Sequence, residues 1–150
     1  MVAGNAHKEI STLKQLISAM TFMECELTYR MTPLPQLCRL AGAITSGSIK
    51  RVFLYLASEL EQHCNRSIDL CIHGAIVKCP DLPKLSKLRI EELGKSLGMF
   101  DLDGQVKCIK AINAENQRLL KEMTYDHKVR LRSYKTLGLC AGAALVILFI

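Results

Sequence analysis

The side chains in this chain of 150 residues that could do chemistry are a few closely spaced carboxylates and four scattered histidines. A general acid and a general base could come from the pairs Glu24 with Glu26, Glu59 with Glu61, and Asp101 with Asp103. Residues two apart on a helix point to different sides, so neither glutamate pair can converge on one substrate atom. The aspartates are better explained as turn and cap residues. Because no histidine stands beside a recognisable nucleophile, the sequence predicts a protein that is not an enzyme.

The seven cysteines do not indicate a disulfide framework, because their number is odd and they stand among apolar residues. Free cysteine behaves as a small buried apolar residue, which favours a reducing compartment. One cluster could bind a metal, but it lacks a C-x-x-C pair and matches no zinc module. It consists of Cys64, Cys71, His73 and Cys79. A Gly-rich phosphate loop is also absent, so we expect neither a metal nor another cofactor.

The apolar run over residues 134–150 carries no charge after Lys135. At about 1.5 Å per residue, a helix over this run is roughly 25 Å long, against a bilayer core about 30 Å thick. Thinning of the bilayer and snorkelling of Lys135 would make up the difference. We predict a short transmembrane helix here; the alternative is a buried helix in a soluble core.

Basic residues just before this run predict the orientation of the chain, because such residues stay on the cytoplasmic side of a membrane. They are Lys128, Arg130, Arg132 and Lys135. Within the run, Gly138 and Gly142 have the spacing at which two membrane helices approach closely, including two copies of the same helix. Small residues are also simply common in membrane helices.

Apolar residues at three- and four-residue spacings predict helices along the rest of the chain. No segment shows the alternation of a strand between turn signals. Residues 105–137 contain neither Pro nor Gly, so one long helix could run from the bundle into the bilayer. We therefore expect an all-α protein with a disordered segment over residues 1–7, a cytoplasmic helical bundle over 8–133 and the membrane helix over 134–150.

Particular turn residues have definite roles in this prediction. Thr32 is a good N-cap, and Pro33 suits the first position of the helix that follows. Gly98 should end the fifth helix in a left-handed conformation. Either Asp101 or Asp103 should cap the last helix.

The net charge of +6 raises the question of nucleic-acid binding. Aromatic residues make up only 5% of the chain, and no basic stripe is interleaved with them as stacking platforms would require. Much of the basic excess stands beside the apolar run, where attraction to anionic lipid explains it. We expect no nucleic-acid partner.

Three segments, in order, resemble motifs of the stage III sporulation protein AB family. Residues 23–35 resemble its L-E-x-E-x-x-Y-x-x-T-P-L-P motif, and residues 93–101 with Gln105 resemble its L-G-x-S-L-G-x-x-D segment. Residues 134–139 with Gly142 are similar to its Y-x-x-L-G anchor. Together the three cover the chain from about residue 8 to its end. Family members usually begin with a further membrane helix. In this chain only residues 1–7 precede the first amphipathic helix, and they are too few to form one.

The resemblance implies a non-enzymatic component of the secretion-like membrane complex that links mother cell and forespore in endospore formation. This family looks related to the inner-membrane platform protein of type II secretion. The implied partners are a cytoplasmic ATPase of the complex, its membrane channel proteins, the lipid bilayer and possibly a second copy of the chain. The main domain would lie in the mother-cell cytoplasm. The alternative is a tail-anchored helical adaptor or regulator unrelated to sporulation.

The family's motif residues carry over to named positions in this chain. Glu24, Glu26 and Tyr29 are the candidates for a partner surface. Glu24 borders the apolar stripe of its helix, so it either reaches water or pairs with a basic residue of another helix. The candidates for structural roles in two helix corners are Thr32, Pro33, Leu34, Gly94, Leu97, Gly98, Asp101 and Gln105.

Overall fold

The computed structural model describes residues 2–63, 66–99 and 101–149, and within these the side chains of 7–63, 66–97, 101–129 and 138–148. The described residues form helices and turns, with no strand among them, which confirms the all-α prediction. The helices are α1 (Val2–Tyr29), α2 (Leu34–Ala43), α3 (Gly47–Gln62), α4 (Ile68–Val77), α5 (Lys84–Met99) and α6 (Leu102–Phe149).

Helices α1 and α6 form an antiparallel pair, which contacts between their side chains establish. The Asn113 amide donates a hydrogen bond to Thr21 Oγ1 over 2.9 Å, and Lys110 Nζ lies 3.8 Å from a carboxylate oxygen of Glu24. From Thr21 to Glu24 the chain advances three residues along α1, while the partner on α6 moves back three residues, from Asn113 to Lys110. Helices α2, α3 and α5 contact α1, α5 also contacts α6, and α4 packs against α3 and α5 to complete the bundle.

The seam between α1 and α6 contains two buried asparagines of α6. Asn116 is fully buried and donates to the sulfur of Met20 over 3.3 Å, while Asn113 is 5% exposed. Neither Oδ1 atom has a hydrogen-bond partner among the described residues. The α1–α6 seam is therefore a partly polar interface.

The core is built from the apolar stripes that the sequence indicates, because helices bury such a stripe against one another. Every helix contributes at least one residue that is at most 2% exposed. Examples are Leu13, Leu16, Met20 and Met23 of α1, Leu37 of α2, Phe53 and Leu56 of α3, Ile72 of α4, Ile90 and Leu93 of α5, and Ile109 of α6.

Helix α6 continues well past the bundle. The register of the α1–α6 pair places Val2 about level with Arg132, so the remaining turns of α6 extend beyond α1. Apolar side chains on this extension are exposed, among them Leu139 at 77% and Leu148 at 80%. In the part of the chain that the structure describes, no helix is both long enough and apolar enough to cross a membrane. The long last helix is thus observed, and the transmembrane helix over 134–150 stays a prediction.

The N-terminal boundary differs from the expectation of a disordered segment over residues 1–7. Helix α1 begins at Val2 instead. Two alanines within these residues, Ala3 and Ala6, have the highest helix propensity of any residue type. These alanines favour a helix that starts before the predicted boundary at residue 8.

Candidate functional site

The motif residues lie at two helix corners. The first corner, residues 24–35, joins α1 to α2, and the second corner, residues 94–105, joins α5 to α6. The α1–α6 register places Tyr29 about level with Gln105, so both corners lie at the same end of the pair. We call this the corner end; the exposed apolar part of α6 forms the opposite end of the molecule.

Glu26 is the centre of the first corner. Its carboxylate, only 12% exposed, accepts a hydrogen bond of 2.8 Å from the Thr32 hydroxyl. Its carbonyl accepts a bond of 2.9 Å from the Arg30 backbone amide. Thr32 is buried. The two bonds fix the path of the chain as it leaves α1.

The predicted N-cap role of Thr32 is wrong, because Pro33 occupies the N-cap position of α2 and makes no side-chain cap bond. The backbone of Met31 has a positive φ of 51°, and Thr32 bonds back to α1 rather than forward to α2. Leu34 is then the first residue of α2 and packs, half-buried, against the core. Pro35 lies in the first turn of α2, where its missing N–H leaves no bond unmade.

The three residues expected on a partner surface have different environments. Glu24 is 26% exposed and lies 3.8 Å from Lys110 of α6, which is the second of the two alternatives, pairing with another helix. Glu26 is engaged by Thr32, as described above. Tyr29 is 83% exposed and ends α1. Both glutamates therefore contact residues of their own chain, and a role for all three in partner binding stays a prediction.

The second corner begins with a close approach of α5 to α4 at Gly94. A Cβ atom at this position would lie 2.3 Å from Cδ1 of the buried Ile72. Gly94 therefore leaves room for Ile72. This close approach explains why glycine, which disfavours helix, stands inside α5. Leu97, one turn further on, is 2% exposed and belongs to the core.

Asp101 and Gln105 hold the turn between α5 and α6. Asp101 Oδ1 accepts a bond of 3.0 Å from the Gly104 amide, so Asp101 is the residue that caps α6. Gln105 Nε2 donates to the carbonyl of Leu97 over 2.9 Å, near the end of α5. The predicted left-handed stop at Gly98 is wrong, since α5 continues through it to Met99. The Gln105 side chain bonds one of the carbonyls that a left-handed cap would otherwise help to satisfy.

Sequence reasoning missed one charged cluster, which joins α3 to α4. Glu59 is 8% exposed and lies 3.0 Å from Lys78 Nζ, 3.5 Å from Arg66 and 3.8 Å from His63. The hydrogen bond from Lys78 lowers the pKa of Glu59. The sequence did give one indication of this cluster: Glu59 stands three residues after Leu56, on the apolar stripe of α3. Its partners come from outside that stripe, so spacing alone could not identify them.

The thiols and carboxylates show no reactive arrangement in the region whose side chains are described. No three metal-ligating side chains come together there, and Cys64 of the sequence-based cluster lies outside the described residues. Cys38, Cys71 and Cys79 are free and buried. Burial raises the pKa of Cys38 to about 12, which keeps it protonated and unreactive at neutral pH.

The residues predicted to set topology and helix pairing lie on α6. Lys128 is exposed, whereas the side chains of Arg130, Arg132 and Lys135 lie outside the described ones. A Cβ at Gly138 or at Gly142 would meet nothing within 4 Å in the described structure. The predicted pairing surface is therefore open in the single chain, and pairing itself stays a prediction.

Comparisons with known proteins agree with the family resemblance. The family model of stage III sporulation protein AB matches residues 1–150. A solved structure named stage III sporulation protein AB (SpoIIIAB) has the same fold, with a TM-score of 0.70 at 19% identity, covering 81% of this chain and 97% of its own. A comparison with curated proteins gives no match. The chain therefore belongs to the stage III sporulation protein AB family, and its role is related to sporulation.

Proposed function

We propose that this protein is a non-enzymatic platform of a sporulation membrane complex, held at the membrane by the end of α6. The observation that carries the proposal is the continuity of α6, one helix of 48 residues. At about 1.5 Å per residue it is about 72 Å long. Its first half packs in the bundle, and its last turns carry exposed apolar side chains. Such a helix joins a folded domain to an apolar environment.

The α6 extension has the chemistry of a membrane-binding segment. Residues 136–150 contain no charged side chain, and the apolar residues described there are mostly exposed, including Val146, Ile147 and Leu148. An exposed apolar surface of this kind marks a site of membrane or protein contact. The preceding basic residues favour a cytoplasmic position for the bundle, on the mother-cell side. Gly138 and Gly142 would then be free to pair with another membrane helix, from a channel protein or from a second copy.

The bundle would carry the contact with a cytoplasmic ATPase of the same complex. From Leu102 to Tyr134, α6 is about 48 Å long, so the corner end stands well away from the proposed membrane segment. A soluble partner could therefore reach it freely. As a platform, the protein would connect a soluble motor at one end with membrane components at the other. Because the chain belongs to a sporulation family, we do not favour the alternative of an adaptor unrelated to sporulation.

The experiment is fractionation of the native host through sporulation, with an N-terminal tag on the full chain. We expect the protein to appear during sporulation, to stay with membranes washed in alkali and to co-purify with the ATPase. A variant truncated before Tyr134 should move to the soluble fraction while its circular dichroism stays helical. If the full chain is present in growing cells and washes off the membrane, the platform proposal is wrong.

A further inference from the structure

Three consecutive residues at the corner end project into solvent. Tyr29 is 83% exposed, the Arg30 side chain is 77% exposed and Met31 is 68% exposed. We call these three residues the tip. Aromatic residues, methionine and arginine are the types enriched in the centre of protein interfaces, and tyrosine and arginine recur among residues that dominate binding energy. The tip is thus a compact group of interface-forming residues that the bundle leaves uncovered.

The backbone of the tip is held in an unusual conformation. Met31 has a φ of 51°, a left-handed value that residues other than glycine adopt uncommonly. The conformation is maintained on both sides, by the bond from the Arg30 amide to Glu26 and by the bond from Thr32 to the Glu26 carboxylate. At 68% exposure, Met31 gains little packing within its own chain from this conformation. Strain of this kind is concentrated at functional sites.

The position of the tip favours a soluble protein as its partner. It lies at the corner end, about level with the start of α6, and therefore about 48 Å from Tyr134. A lipid surface at the far end of α6 is out of its reach. The Arg30 guanidinium lies 3.8 Å from the Glu26 carboxylate, but its side chain is 77% exposed and therefore open to a second carboxylate. The matching surface needs an apolar cleft for Tyr29 and Met31 and a carboxylate beside it for Arg30.

We propose that the tip is the surface by which this chain docks onto its soluble partner, through a cleft of that chemistry. The proposal rests on the proposed function, which names the partner as the cytoplasmic ATPase. It assigns different roles to the residues of the first corner. Tyr29, Arg30 and Met31 touch the partner, whereas Glu26 and Thr32 are positioning residues that hold the tip in shape.

The test measures the affinity of the purified ATPase for the full chain in lipid nanodiscs. We expect Tyr29→Ala and Arg30→Glu each to weaken binding about tenfold or more. Met31→Gly should weaken it as well while leaving the fold intact, because glycine adopts a positive φ without strain. The matched control is Tyr125→Ala, which removes a tyrosine that is 68% exposed and lies on α6 about 30 Å from the level of the tip. It should bind as the unaltered chain does.

The outcomes separate this proposal from the proposed function. If the unaltered chain binds the ATPase and the tip variants bind equally well, the tip is not the docking surface and the platform proposal is unaffected. If the unaltered chain does not bind, the partner itself is wrong and the tip proposal fails with it. Light scattering on the same samples measures whether the chain self-associates. If the tip variants lose self-association and keep their affinity for the ATPase, the tip pairs with a second copy of the chain and the proposal is overturned.

Discussion

Substituting Gly94 by alanine tests the close approach of α5 to α4. Alanine is favoured over glycine inside a helix by about 1 kcal/mol. The new Cβ, however, would lie 2.3 Å from Cδ1 of Ile72 and 3.3 Å from its Cγ1, and Ile72 is only 2% exposed. Crowding of this kind in a packed core costs about 1–3 kcal/mol. We therefore expect Gly94→Ala to lower the free energy of unfolding by roughly 1 kcal/mol, the difference between the two effects.

A second glycine offers a matched control for this substitution. A Cβ at Gly74, inside α4, would lie 3.9 Å from the nearest atom, a carboxylate oxygen of Glu59. Because that distance is an ordinary contact, Gly74→Ala should raise the free energy of unfolding by about 1 kcal/mol. The contrast between the two variants, roughly 2 kcal/mol, isolates the effect of Ile72 from helix propensity.

The assay is urea unfolding followed by circular dichroism, on the full chain in a mild detergent. Adding Ile72→Val removes the Cδ1 atom, so Gly94→Ala should cost less in that background than in the unaltered chain. This coupling is the signature of two groups in contact. If Gly94→Ala stabilises the protein as Gly74→Ala does, or if its cost is the same with valine at position 72, the packing argument is refuted.

Three further substitutions test other features. Thr32→Val, which leaves the Glu26 carboxylate without its hydroxyl donor, should cost about 1 kcal/mol of unfolding free energy and lose its effect in a Glu26→Ala background, where no acceptor oxygen remains. Because the folded state lowers the pKa of Glu59, its stabilising contribution is present above the ordinary pKa of a glutamate and is lost as the pH falls through the folded value; the stability of Glu59→Gln should therefore depend less on acid pH. Gly142→Ile should reduce self-association in bilayers, measured by energy transfer between labelled chains, while the unfolding of the bundle stays unchanged; equal association would argue against pairing through this face.

The helices could be predicted from sequence because their signals are local. Leu13, Leu16, Met20 and Met23 repeat at helical spacing, and all four are fully buried. The capping of α6 by Asp101 was likewise one of the alternatives that residue type alone provides. Such features depend only on neighbours within one or two turns, which the sequence displays directly.

The features that sequence could not predict depend on residues far apart in the chain. Gly98 has the residue type of a helix stop, but the side chain of Gln105 bonds a carbonyl of α5 and the helix continues. Glu24 could reach water or another helix, and the choice depends on the position of Lys110 in the fold. Thr32 was assigned to the helix after it and bonds to the helix before it. In each case a tertiary contact competes with a valid local preference.

The two buried asparagines of α6 have a mechanical consequence. A slide of α6 along α1 by one turn, about 5.4 Å, would break the bonds of Asn113 to Thr21 and of Asn116 to Met20 and leave their amides unpaired in the core. Each stranded polar group costs about 1–3 kcal/mol. An apolar seam would resist such slippage far less, because one leucine can replace another. The α1–α6 pair therefore resists sliding, so that a displacement imposed on one end of the pair is passed along it to the other.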